Sequence, residues 1–225
     1  MPGIEPPPLY CFVLSRHVPV IALSIISLSK SFRAGTAGCS ARVSVLRNLD
    51  LALWPGEIVA LEGMPASGRT TLLACAAGAL KPDAGAVFWL GARAAPPGTI
   101  AYVSSRAASS ASNERGALFA ALSAAATPAR TRLLLVDDLD LAEPIEQRLV
   151  LSLLQRHALA GAAVLFAASP ELAAASLVTR AVALSNGALV QRRKRSAARI
   201  AASSRSSRAR ASARSTYGRS LRSPQ

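Results

Sequence analysis

The sequence predicts an α/β domain: a mainly parallel, buried sheet flanked by helices, an antiparallel β subdomain near the N-terminus, and a disordered basic tail at the C-terminus. Three observations carry that prediction. Short apolar runs alternate with stretches of helical composition, the order expected of a layered α/β domain. Two of those runs, IVAL at 58–61 and LLLV at 133–136, are apolar throughout, as strands covered on both faces must be. And 51% of the 225 residues are hydrophobic while only 4% are aromatic. A core made of Ala, Leu and Val suits helices laid on a sheet better than an aromatic-rich sandwich.

The elements follow in order. Residues 1–20 read as an irregular leader with prolines at 6–8, and the apolar stretch VPVIALSIISL at 18–28 is shorter than the ~20 residues that span a bilayer. Glu5, with no early Lys or Arg, also argues against a signal peptide. A strand is predicted over 23–28, a Gly-rich turn around 35–38, and a second extended segment over 43–53. Pro55-Gly56 makes a turn, 58–61 is a buried strand, and 70–80 (TTLLACAAGAL) is helical until Pro82. Strands are predicted at 86–90 and 100–103, a loop over the Ser- and Ala-rich residues 104–112, and an Ala-rich helix over 116–126. The strand at 133–136 ends in Asp137-Asp138. Then come a helix over 145–157, a strand over 163–167, a short helix over 171–177, and a hairpin over 182–190 turning at Asn186-Gly187. Residues 21–191 form the domain, and 192–225 the tail.

The formal charge of +14 belongs to that tail. Residues 191–225 hold 11 Lys and Arg and no Asp or Glu, so the rest carries 15 basic against 12 acidic residues. Ser, Ala and Arg bury too little surface to offset chain entropy. Such a tail offers counterion release to nucleic acid or acidic lipid phosphates, or is a solvated extension; both readings stand. Cys11, Cys39 and Cys75 match no metal or disulfide spacing, and point to a reducing cytoplasm.

The chemistry is concentrated in GMPASGRTT, residues 63–71. In the pattern G-x-x-x-x-G-K-[ST], amides between two glycines converge on phosphates, the next helix presents its positive end, the Lys bridges terminal phosphates and the hydroxyl holds magnesium. Gly63, Gly68 and Thr70 fit, while Arg69 stands in place of Lys; Met64, Pro65, Ala66, Ser67 and Thr71 complete the loop. LLLVDD then delivers Asp137 to a strand's carboxyl end, where the magnesium partner of Thr70 belongs. Together they are more than a strand-to-helix turn and an ordinary buried strand.

With these motifs in order, residues 23–190 resemble the ATP-binding subunit of an ABC transporter, a P-loop NTPase-like fold. VLRNLDLALWPGEIVALEG (45–63) is similar to that family's lead-in to the phosphate loop, TTLLACAAGALKPDAGAVFWLG (70–91) to its helix and return strand, LLLVDD to its Walker B strand, and AVALSNGALV (181–190) to its closing hairpin. The resemblance implies ATP and Mg²⁺ as cofactors, held by residues 63–71 with Thr70 and Asp137 on the metal. It implies Asp138 as the catalytic residue and Phe32, in LSKSF, stacked on adenine; the alternative for Phe32 is a core aromatic. It implies as partners a membrane-spanning transporter subunit and a second ATP-binding subunit, at the cytoplasmic face of the membrane.

The chain also departs from that family. Ser105 occupies the Q-loop glutamine position, Asp138 the catalytic glutamate, Ser169 the switch histidine and Pro144 the D-loop aspartate. No LSGGQ-like signature occurs; SNERG at 112–116 shares too little with it. Asp137 follows Ser105 by only 32 positions, so the helical subdomain near 104–128 is truncated. Pro65 removes an amide donor, Ala66 resists the positive φ a glycine would adopt, and Arg69 is a wider, planar cation. The expectation is weak ATP binding with little or no hydrolysis, or a catalytically dead scaffold pairing with a competent subunit. Binding of nucleic acid or anionic membrane through the tail is a further alternative.

Overall fold

A computed structural model describes residues 20–36, 39–111 and 116–192. The leader, apart from Val20, the SNERG stretch, apart from Gly116, and the tail beyond Arg192 lie outside the described residues, as do Cys11 and His17. The chain opens with two long antiparallel strands, β1 (Leu23–Thr36) and β2 (Cys39–Leu53). Strand β3 (Ile58–Gly63), helix α1 (Arg69–Ala76) and strand β4 (Ala84–Trp89) follow. Next come β5 (Ile100–Ser104), α2 (Ser105–Ala111), α3 (Ala117–Ala125) and β6 (Leu133–Asp137). A 3-10 turn, Leu139–Leu141, leads into α4 (Pro144–Leu159), β7 (Ala163–Ala167) and α5 (Pro170–Ala173). The domain ends on β8 (Arg180–Ser185) and β9 (Ala188–Arg192).

Two sheets result. The larger has strand order β5-β6-β7-β3-β8-β9 and is parallel except for its β8–β9 edge; the smaller is antiparallel, in the order β2-β1-β4. Every residue of β6 and β7 is buried, and β3 is buried from Ile58 to Glu62. That follows from the two-residue alternation of strands. Ile58, Ala60, Leu134, Val136, Val164 and Phe166 point to one face, under α2, α3, α4 and α5. Val59, Leu61, Leu133, Leu135, Leu165 and Ala167 point to the other, where Leu72, Leu73, Cys75 and Ala76 of α1 separate them from Leu23, Ile25, Leu46 and Leu53 of the antiparallel sheet. Helix α1 is thus held between two sheets.

The predicted elements are present, with differences at their limits. Strand β1 extends past 28 to Thr36, because pairing with β2 continues along the hairpin. Helix α1 ends at Ala76 and a turn carries the chain to Gly78 and Leu80. Residues 104–112, expected as a loop, contain helix α2; Ser105 and Ala108 are its buried positions, too few to mark an apolar face in the sequence. The short helix expected over 171–177 is four residues, Pro170–Ala173, capped by Ser169 Oγ accepting the Leu172 amide. No described helix is long and apolar enough to cross a membrane.

Candidate nucleotide site

The site lies at the carboxyl ends of β3 and β6, where open parallel sheets present their loops. Beyond Gly63 the chain turns tightly, with the Ser67 amide donating to Met64 O at 3.0 Å. Ala66 takes φ 62 and Gly68 φ 102. Gly68 is the N-cap of α1, and a Cβ there would sit 2.8 Å from Val45 Cγ1, so both its φ and its surroundings demand glycine. The first amides of α1 have no intrahelical acceptor and lie at its positive end. Ser67 Oγ is buried without a hydrogen-bond partner, and a Cβ added to Gly63 would run into it. Met64, by contrast, is exposed.

Strand β6 brings Asp137 to the loop. Asp137 is 1% exposed; one carboxylate oxygen accepts the Asp138 amide at 2.9 Å, while Oδ2 is buried without a partner of good geometry. Burial pushes its carboxyl above the usual range, opposed by the adjacent Thr70 hydroxyl. The pair therefore fits a magnesium ion: a hydroxyl and an orphaned carboxylate oxygen, both hard donors, converge where the ion's charge would offset the cost of burial. Among the described residues no cluster of three His, Cys, Asp or Glu offers a fuller metal cage.

Asp138 takes φ 54, a left-handed conformation that Asp tolerates. Its Oδ2 accepts from Ser104 Oγ at 3.5 Å and lies 3.7 Å from Arg106 Nε. Ser105, at the Q-loop position, is buried at the start of α2, and Pro144 is the first residue of α4, whose missing amide costs nothing there. Phe32 is 41% exposed on β1, opposite Val43, with Lys30 Nζ 5.6 Å from its ring centre. It is not a core aromatic. Strand β2 bulges between Ser44 and Leu46 at Val45, the residue against Gly68.

Arg69 does not point freely into the loop. Its Nη1 donates to Asp140 Oδ2 and to Ala168 O, both at 3.3 Å, and Asp140 Oδ1 accepts the Ser169 amide at 2.6 Å. Asp140 and Arg106 were not singled out by the sequence. The signal for Asp140 was present in DDLD, which places a third carboxylate beside a site with an unusual arginine. A cleft of about 490 Å³, lined by Ser24, Asp50, Trp54, Glu57 and Arg180 among others, lies near the amino ends of β3 and β8. It is lined by none of residues 63–71 and by none of Asp137, Asp138 and Asp140.

The same fold recurs in known proteins, and residues 46–173 match the sequence model described as ABC transporter. The chain belongs to that family. Among curated ABC relatives, the cytochrome c biogenesis ATP-binding export protein CcmA of Cupriavidus necator is 32% identical over 113 residues, 46% of this chain and 45% of that protein. The ribose import ATP-binding protein RbsA 2 of Streptomyces avermitilis is 44% identical over 70 residues, 31% of this chain and 12% of that protein. The chain thus spans less than half the length of either relative. Two solved structures share the fold: an ATP-binding subunit of an ABC transporter (TM-score 0.53, 19% identity) and a nucleotide-free ATP-binding cassette from an ABC transporter (TM-score 0.60, 12% identity). Each alignment covers 76% of this chain and 90% of the other.

Proposed function

We propose that this chain is an ATP-binding protein of the ABC type that holds Mg-ATP through residues 63–71 and hydrolyses it weakly or not at all on its own. The observation that carries the reading is the orphaned Oδ2 of Asp137 beside Thr70, at the end of a loop whose amides and helix terminus favour anions. Phosphates would lie against residues 63–71, Thr70 and Asp137 would hold the metal, and Phe32 would stack on the base. Magnesium would neutralise phosphate charge. Asp138 is the one candidate base, but its outer oxygen is shared between Ser104 and Arg106, and its side chain is a methylene shorter than the family's glutamate.

The same observation on Asp138, with no signature motif in the sequence, supports a second reading: a scaffold that pairs with a competent ATPase subunit and, through it or directly, with a membrane-spanning transporter subunit at the cytoplasmic face. Titration of the full chain and Arg69→Lys with Mg-ATP should give dissociation constants approaching ~1 mM. Asp137→Ala should remove the magnesium dependence of that binding. No binding by either the parent or the Arg69→Lys protein at millimolar nucleotide would overturn the ligand claim. Steady-state turnover by the isolated chain should be near background; robust turnover abolished by Asp138→Asn would reject the scaffold.

A further inference from the structure

Arg69 occupies the one position in the loop where a cation should reach the terminal phosphates, yet one nitrogen of its guanidinium is already engaged. Nη1 is held by Asp140 Oδ2 and by Ala168 O, both at 3.3 Å, and neither side chain of the ion pair is more than about a quarter exposed. Asp140 is itself fixed from the other side, since its Oδ1 takes the Ser169 amide at 2.6 Å. Local geometry puts it there: the left-handed Asp138 turns the chain out of β6, and the 3-10 turn brings Asp140 back over the loop. One carboxylate therefore ties the phosphate loop to the turn between β7 and α5.

Electrostatics gives that contact a consequence for ligand binding. Asp137, Asp138 and Asp140 bring three carboxylates to the phosphate end of the site. Two arginines oppose them, Arg106 at Asp138 and Arg69 at Asp140. A planar guanidinium matches carboxylate and phosphate alike, so the two compete for it. We infer that Asp140 is the positioning residue of Arg69, an internal counter-ion that holds the loop cation off the phosphates, and that the terminal phosphate of a nucleotide must displace it to be bound. This rests on the reading that the loop binds Mg-ATP. When phosphate takes the guanidinium, Ala168 O and the Ser169 turn lose their tie to the loop, so occupancy of the loop is transmitted to α5.

A double-mutant cycle on the full chain tests this. Asn at 140 keeps an oxygen for the Ser169 amide and removes the charge, so Asp140→Asn should bind Mg-ATP about tenfold more tightly than the parent. Adenosine, which has no phosphate, should bind the two equally. Asp140→Glu should return the affinity toward the parent value. In an Arg69→Ala background Asp140→Asn should change the affinity of Mg-ATP little, which separates release of Arg69 from the mere loss of a repelling charge. The nitrogen resonances of the Arg69 guanidinium in the unsubstituted chain give a measurement that needs no variant to fold; saturating Mg-ATP should shift them. The inference falls if the parent binds Mg-ATP while Asp140→Asn binds it no more tightly, or if the gain persists without Arg69, or if the Arg69 resonances stay in place at saturation. Absence of Mg-ATP binding in parent and variants alike would overturn the function reading and the competition with it. Binding by Asp140→Asn alone would support both.

Discussion

Residue chemistry explains both what the loop keeps and what it has changed. An alanine resists a positive φ, yet the fold holds Ala66 at φ 62, inside the turn that the Ser67 amide closes on Met64 O. A left-handed alanine costs roughly 1 kcal/mol or more. Ala66→Gly should therefore raise the unfolding free energy by about 1 kcal/mol, seen as a higher midpoint in chemical denaturation. Gly63, Gly68, Thr70 and Asp137 could be singled out in the sequence because the glycine spacing and the apolar runs that end at Gly63 and Asp137 are local patterns; the sheet sets those two strand ends on either side of β7. The partner of Arg69 was not: 71 positions separate Arg69 from Asp140, and no local pattern states that a guanidinium will turn to a carboxylate delivered by another strand.

Among the elements, the closing hairpin shows how a local signal acquires a long-range role. Asn186 and Gly187 take φ 50 and 75, the turn geometry that matches strand twist in a two-residue hairpin. Gly187 O also accepts the Arg47 amide at 2.8 Å, and a Cβ on Gly187 would lie 2.8 Å from Val45 O. The turn thus abuts the bulged segment of β2 that backs the phosphate loop. Gly187→Ala should destabilise the protein by about 1–3 kcal/mol from strain at positive φ, with a further loss if β2 is pushed aside; a denaturant midpoint equal to the parent's would reject this. Helix α2 is the opposite case. Its Ser- and Ala-rich sequence has no periodic apolar face, only Ser105 and Ala108 being buried, and contacts with α3 and β5 decide its conformation.

Across the whole molecule, stability comes from a sheet buried on both faces, and His157, on helix α4 packed against it, is a titratable group enclosed in the core. His157 near the end of α4 is fully buried, and neither ring nitrogen has a partner. Burial, with the charge of Arg156 adding to it, lowers its affinity for a proton. The unfolded chain therefore binds a proton that the folded chain does not, below about pH 6.5. The His157 contribution to folding stability should be level above that pH and fall as pH drops through it toward the depressed native value. His157→Leu should flatten that part of the profile, measured as unfolding free energy against pH; a parent profile level from pH 7 to 5 would refute the assignment. By itself the sequence determined the α/β layering, the buried strands and the phosphate loop, because side-chain periodicity and short-range turn chemistry are local properties. Only the tertiary structure decided which charges meet: that Arg69 is paired with Asp140, Asp138 with Arg106, and that Asp137 keeps an unpartnered oxygen beside Thr70. Those pairings depend on how strands distant in sequence are brought side by side in the sheet.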